Sequence, residues 1–146
     1  MDDPYVLGPG LAPTPFTAEQ IRAGCPDGHT VFIRTTEAGE VSESVQRFDA
    51  GDADGVTLTR QFDGDSLTSR VSWRDLQAHA AFPSDFTTRV QDTIASPLGT
   101  LDCLRYEIAG EPPMRFWFAL DHPGMPVRYT DGNSTTEVVR IERVQP

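Results

Sequence analysis

The chain of 146 residues carries 22 acidic and 12 basic side chains, for a formal net charge of −10. This length suits one domain, and the negative charge repels phosphate backbones and anionic membrane surfaces, so we expect no nucleic-acid partner. No apolar run approaches the length of a membrane span.

The N-terminal residues 1–15 contain four prolines and two glycines, which argues against regular structure. We expect an arm that either packs as extended chain or stays mobile, followed by a single curved-sheet domain over residues 16–146. The start lacks a basic segment followed by an apolar one, so we expect a cytoplasmic protein, or a periplasmic or extracellular one if a targeting segment has been lost.

Two short helices are expected. In "TAEQIRAGC", Thr17 is a suitable N-cap, Gln20 occupies the capping-box position and Gly24 is a stop signal. In "SWRDLQAHAAFP", Ser72 is the cap and a proline is the terminator, which predicts a helix over 73–82.

From residue 29 onward, runs rich in Val, Ile, Thr and Phe alternate with Gly, Asp and Asn pairs, a pattern typical of antiparallel strands. Accumulated twist curls a sheet of this size. The sequence therefore predicts a mainly β (α+β) fold, in which a strongly curved antiparallel meander sheet of about nine strands forms a half-barrel or open barrel, with short helices covering its concave face. The strands are expected near 29–37, 40–49, 55–63, 66–72, 87–96, 99–108, 114–120, 126–131 and 134–144.

Directly opposed residues share a sheet face, so the turns predict which side chains meet. A turn centred on Gly64-Asp65 pairs Phe62 with Leu67 and places Arg60 on the same apolar face, opposite Ser69. A turn centred on Gly132-Asn133 pairs Val127 with Val138 and Arg128 with Glu137.

The five-residue loop "AGEPP" predicts a third hairpin. It pairs Tyr106 with Phe116 on an apolar face, and Leu104 with Phe118. On the opposite face it sets Glu107 against Arg115 for an ion pair and Arg105 against Trp117 for a cation–π contact. All twelve residues counted as Lys or Arg are arginines, and we expect most of these arginines to form ion pairs with carboxylates.

No catalytic or metal-binding signature is present. Cys25 and Cys103 form no CxxC motif, and burial of each is a better reading than a mutual disulfide. The three histidines lack metal-ligand spacing, and His122 belongs to a turn, "DHPGMP". The stretch "DAGDADG" at 49–55 lacks the EF-hand pattern and is read as a solvated hairpin tip. We expect no cofactor and no metal.

The segments "TIASPLGTLDCLRYEI" and "FWFALDHPGMPVRY" resemble bacterial half-barrel proteins similar to lipoprotein carriers, with the LolA-like or LppX-like fold. This resemblance covers about a quarter of the chain and implies a concave apolar surface that holds a lipid or another hydrophobic ligand. The matching positions are Pro97, Gly99, Thr100, Cys103 and Tyr106, then Trp117, Pro123, Gly124, Pro126, Val127 and Arg128.

The leading hypothesis is a non-enzymatic protein that binds a small hydrophobic or amphipathic ligand on the concave face. Aromatic side chains would supply apolar area, and a guanidinium would hold a carboxylate or phosphate head group. The candidate ligand-binding residues are Arg60, Trp73, His79, Tyr106, Phe116 and Phe118.

Two alternatives stay open. The protein could be an interaction module whose sheet face, edge strand or arm binds another protein or a second copy of the chain, with an outer apolar patch around Trp117. It could also be an enzyme with an acid or base in a cavity, for which His79 and Asp75 are the nominees.

Overall fold

The structure, a computed structural model, describes residues 3–142 and has the expected mainly β architecture. Helix α1 spans Ala18–Gly24 and helix α2 spans Trp73–Ala78, with a short 3-10 turn at Ser84–Phe86. Each strand expected from the sequence is present. The strands are β1 (Thr30–Glu37), β2 (Glu40–Asp49), β3 (Val56–Phe62), β4 (Asp65–Val71), β5 (Thr87–Ser96), β6 (Gly99–Ile108), β7 (Met114–Ala119), β8 (Arg128–Thr130) and β9 (Ser134–Glu142). The part of the last predicted strand beyond residue 142 lies outside the described residues.

The strands form one antiparallel sheet in the order β4-β3-β2-β1-β9-β8-β7-β6-β5. Two meanders, β1 to β4 and β5 to β9, are joined by the pairing of β1 with β9. The sheet is not closed into a barrel, because β4 and β5 lie at its two ends and pair with no strand on their outer sides within residues 3–142.

The sheet is curved around its core. On a flat sheet with strands about 4.8 Å apart, β3 and β7 would be separated by about 24 Å. Nevertheless, Phe48 and Val56 from β2 and β3 belong to the same buried cluster as Tyr106 and Phe118 from β6 and β7. Ile21 of α1 and Trp73 of α2 complete this cluster, so the helices cover the concave face.

Helix α1 begins as expected. The Thr17 hydroxyl accepts the Gln20 N–H at 3.2 Å, and the Gln20 side chain accepts the Thr17 N–H at 2.9 Å. Helix α2 is shorter than predicted, because it ends at Ala78 rather than at residue 82. The N–H groups of Ala80 and Ala81 donate to carbonyls three residues earlier, so the chain tightens into 3-10-type turns before it leaves the helix.

The described part of the N-terminal arm, residues 3–15, packs against the fold as irregular chain with two turns, in which the Val6 N–H donates to Asp3 O and the Leu11 N–H donates to Gly8 O. The Ala12 N–H of the arm donates to Phe82 O at 2.8 Å. The buried Gln77 amide of α2 connects the arm to both helices, since it accepts the Ala18 N–H and donates to Pro4 O and to the Thr14 hydroxyl. The amide oxygen and both N–H donors of Gln77 therefore have partners inside the fold.

Two of the three predicted hairpin registers are confirmed. Strands β6 and β7 pair as the loop "AGEPP" predicts, with Tyr106 opposite Phe116. Strands β8 and β9 pair Arg128 with Glu137, and the Val138 N–H donates to Val127 O at 2.8 Å.

The predicted register of the β3–β4 hairpin is wrong by two residues. Phe62 lies opposite Asp65, and Arg60 lies opposite Leu67 instead of Ser69. The two-residue turn is Asp63-Gly64, where both residues have positive φ, 50° and 79°. This is what a type I′ hairpin turn requires of its two central residues. Because the shift is an even number of residues, each side chain keeps its predicted face.

A second, smaller core lies on the convex side of the sheet. This outer cluster consists of the buried residues Leu101, Cys103, Ala119 and Val127. Cys25 lies in the main core instead, so both cysteines are buried, as expected.

Candidate ligand pocket

A pocket of about 390 Å³ opens on the concave face of the sheet, within the size range of small-molecule sites. Strands β2 and β3 form one wall, strands β7 and β8 form the opposite wall, and the end of α2 lies over it. We call it the concave pocket. It is lined by Ile21, Gln46, Phe48, Leu58, Arg60, Leu76, His79, Ala80, Phe82, Phe116, Phe118, Gly124, Met125, Pro126 and Tyr129.

Four of the six candidate ligand-binding residues line the concave pocket. These are Arg60, His79, Phe116 and Phe118. Arg60 and His79 are exposed, which places them at the mouth of the pocket, whereas Phe118 is only 2% exposed. The curvature of the sheet brings these residues together from β3, α2 and β7.

The other two candidates, Trp73 and Tyr106, lie in the packed core and do not line the concave pocket. The Trp73 indole donates to Asp52 O at 2.7 Å, and the Tyr106 hydroxyl donates to Pro13 O at 2.7 Å. Burial raises the pKa of Tyr106. Trp73 therefore connects the loop after β2 to helix α2, and Tyr106 connects the N-terminal arm to the sheet.

One wall of the concave pocket is aromatic. Phe116 stacks on Phe82 with ring centroids 4.9 Å apart and on Tyr129 with centroids 5.5 Å apart. Phe118 extends the row at 6.4 Å from Phe116. Offset and stacked rings of this kind offer a broad apolar surface.

Four polar side chains line the pocket, and none of them makes a hydrogen bond or ion pair with another described residue. They are Gln46, Arg60, His79 and Tyr129. Sequence reasoning missed Gln46 and Tyr129. Tyr129 could have been found from the next hairpin, since it lies opposite Phe116, but no local pattern marks Gln46.

No aspartate or glutamate lines the concave pocket. Asp75, the acid nominated as the partner of His79 in an enzyme, is exposed in the first turn of α2 and does not line it. No described carboxylate therefore faces His79 inside the pocket to act as its partner.

The convex face of the sheet has a contrasting arrangement over β5 to β9, with one residue from each strand. We call it the convex ladder, and it consists of Asp92, Arg105, Trp117, Arg128 and Glu137. Asp92 accepts the Trp117 indole N–H at 2.9 Å and the Arg105 guanidinium at 3.0 Å. The Trp117 hydrogen bond, and after it the bond and charge of Arg105, hold the pKa of Asp92 below its usual value.

The predicted cation–π contact involves a different arginine. The guanidinium over the Trp117 ring is that of Arg128, 5.9 Å from the ring centroid, whereas Arg105 turns to Asp92 on the neighbouring strand. Arg128 also pairs with Glu137 at 3.4 Å. The predicted ion pair of Arg115 with Glu107 is confirmed at 3.1 Å.

Cys103 lies beneath the convex ladder in the outer cluster. Burial raises the pKa of its thiol to about 11, and the negative charge of Asp92 adds to this effect. A thiol with this pKa is a poor nucleophile at neutral pH.

The acidic loop after β2 is structured as a turn. The Asp52 carboxylate accepts the N–H groups of Asp54 and Gly55 and pairs with Arg70 at 2.8 Å, and these contacts lower the pKa of Asp52. Across residues 3–142, no three His, Cys, Asp or Glu side chains are placed to hold a metal ion. None of the described helices has the length and apolar character needed to cross a membrane.

The remaining two histidines border a small cavity of about 20 Å³, room for about one water molecule. His29 is buried and packs edge-on against Phe48. His122 lies in the turn after β7, as expected.

A scan against known protein families finds no model that matches this chain, and a search of curated proteins finds no significant match.

Proposed function

We propose that this protein is a non-enzymatic binding protein that holds a small hydrophobic or amphipathic molecule in the concave pocket. The observation that carries the proposal is the concave pocket itself, where the partly exposed rings of Phe116, Phe82 and Tyr129, with the buried Phe118 at the end of the row, border open space. Burial of apolar ligand surface against these rings contributes about 25 cal/mol per Å². The half-barrel resemblance points to the same use of a concave face.

The test is direct binding of a neutral fluorescent probe, N-phenyl-1-naphthylamine, to the purified chain. We expect its fluorescence to rise on binding to the folded protein. Leu58 lines the concave pocket from β3, so the variant Leu58→Trp should fill the space and abolish the signal.

The matched control is Thr59→Trp, which adds the same ring to the next residue, on the opposite face of β3. It should retain the signal, and thermal unfolding followed by circular dichroism verifies that both variants are folded. If both variants bind the probe as the parent does, the concave pocket is not the binding site and the proposal fails.

A second candidate function, pairing of the sheet edge with a second copy of the chain, is favoured by one observation. Strand β5 is an edge strand of ten residues. Val90 on it is 44% exposed, and Phe86, in the 3-10 turn that precedes it, is 60% exposed. Long edge strands with exposed apolar side chains pair readily. Sedimentation over a range of concentrations should show dimers that Val90→Lys dissociates, and a monomer at all concentrations contradicts this function.

A further inference from the structure

The polar side of the concave pocket carries a single kind of charge. The chain has 22 acidic against 12 basic residues, yet no carboxylate lines the pocket, and Arg60 is its one permanently charged lining residue. The charge of the pocket lining is therefore positive, whereas the net charge of the whole molecule is negative.

Arg60 differs from most arginines of the described chain in having no internal partner. Six others form ion pairs with carboxylates. Arg60 also borders a neighbouring surface groove with Glu43 and Asp63, but it forms an ion pair with neither. Its guanidinium thus has its hydrogen-bond donors available to a ligand.

The register sets a second donor beside Arg60. Gln46 on β2 lies directly opposite Arg60 on β3, and opposed side chains on one face have Cβ atoms about 5 Å apart. The other cross-strand neighbour of Arg60 is the neutral Leu67. An amide and a guanidinium side by side can hold two oxygen atoms of one anionic group.

The aromatic wall lies across the pocket from this pair of donors. Phe116 and Tyr129 come from β7 and β8, whereas Gln46 and Arg60 come from β2 and β3. A molecule that satisfies both walls must have a charged end and an apolar end.

We infer that the ligand of the concave pocket is a single-tailed anionic amphiphile, whose carboxylate, sulfate or phosphate head group is held by Arg60 and Gln46 and whose apolar tail lies along the aromatic wall. This inference rests on the proposed function and specifies the sign and position of the ligand's charge. The net charge of −10 opposes the binding of any anion, so a preference for anions would have to arise locally.

Isothermal titration of the full chain with four ligands whose apolar tails have nine or ten carbon atoms, each at concentrations where it is monomeric in solution, tests the inference. The ligands are decanoate, decyl sulfate, decanol and decyltrimethylammonium. We expect at least one anion to bind at least tenfold more tightly than decanol, and the cation to bind most weakly. Decanoate and decyl sulfate compared with each other show which head group the donors prefer.

The variant Arg60→Gln should reduce the affinity for the preferred anion at least tenfold and leave the affinity for decanol unchanged. The matched control Arg74→Gln removes the same charge from an exposed arginine of α2 that does not line the pocket, and it should bind as the parent does. A selective loss in Arg60→Gln separates a local contact from the change in net charge.

The two proposals fail in different ways. If decanol binds as tightly as both anions, or if Arg60→Gln and Arg74→Gln change anion affinity equally, the anionic head group is wrong and the pocket is a general apolar site. If none of the four ligands and no neutral probe binds to the folded chain, the proposed function itself is wrong.

Discussion

Arg128 and Arg60 lie on opposite faces of one sheet and differ in their contacts, because Arg128 has partners inside the described part of the fold and Arg60 has none. On the convex face, Arg128 pairs with Glu137 and covers the Trp117 ring, and the neighbouring Arg105 pairs with Asp92. On the concave face, Arg60 lines open space and has no internal partner. The comparison suggests that the convex ladder supports stability, whereas the concave face leaves its charge available for binding.

The reason for the difference is geometric. On the convex face, opposite charges lie on neighbouring strands at both ends of the ladder, where Asp92 pairs diagonally with Arg105 and Arg128 lies directly opposite Glu137. On the concave face, the curl of the sheet sets two walls across from each other with a volume between them that side chains do not fill. A charge on this face therefore has fewer neighbours.

The largest expected effect comes from alkaline pH acting on the convex side. The folded pKa of Cys103 is about 11, above its ordinary value of 9.0, so unfolding favours loss of the proton. The contribution of the protonated Cys103 thiol to the free energy of unfolding is fully present below about pH 9. It is lost as the pH rises through 11, which lowers the free energy of unfolding by roughly 2 kcal/mol.

Urea unfolding at pH 8 and at pH 11 measures this loss, and Cys103→Ala should remove most of it. Burial of Tyr106 raises its pKa as well and contributes in the same direction at higher pH. Equal unfolding free energies of the parent chain at both values would show that the outer cluster does not exclude the thiolate.

The next effect tests the convex ladder directly. Asp92→Asn removes the charge that holds both the Trp117 indole and the Arg105 guanidinium, and we expect a loss of about 1 kcal/mol in urea unfolding at pH 7. The exposed Asp121, which pairs with no described residue, supplies the control Asp121→Asn, with little change.

The pH dependence of this variant has a definite sign. Because the folded pKa of Asp92 lies below its ordinary value of 3.8, its contribution is present above that value and is lost as the pH falls through the folded pKa. The difference between the parent and Asp92→Asn should therefore shrink in strong acid. A constant difference down to low pH would mean that packing, and not charge, is the cause.

The smallest expected effect on stability belongs to the concave face. Arg60→Gln should change the unfolding free energy by less than about 0.5 kcal/mol, since no internal contact is lost. Arg128→Gln, which loses an ion pair and a ring contact, should cost about 1 kcal/mol. If Arg60→Gln proves the more destabilising of the two in urea unfolding, the contrast between the faces is wrong.

Local turn chemistry was sufficient to predict most of the sheet. The positions of Gly132-Asn133 and of the loop "AGEPP" set two registers correctly, because a short loop leaves few ways to pair the strands around it. The third failed by two residues because "DGD" contains two adjacent turn pairs, and only Asp63-Gly64 takes positive φ at both positions.

The candidate site was predicted less completely. Alternation correctly placed Arg60, Phe116 and Phe118 on the concave face, since successive residues of a strand point to opposite faces. Neither the alternation of a strand nor the periodicity of a helix measures depth, so neither pattern could show that Tyr106 on β6 and Trp73 on α2 are core residues. Gln46 was missed because a glutamine on a strand has no distinctive neighbours in the sequence.

The sequence by itself determined the mainly β class, the succession of strands and the face of each side chain, because these depend on neighbours a few residues apart. Only the tertiary structure decided which faces meet. The pairing of β1 with β9, the curl that brings β3 to face β7 and the replacement of Arg105 by Arg128 over Trp117 depend on residues far apart in the chain. Such contacts are set by strand order and twist, which local patterns do not record.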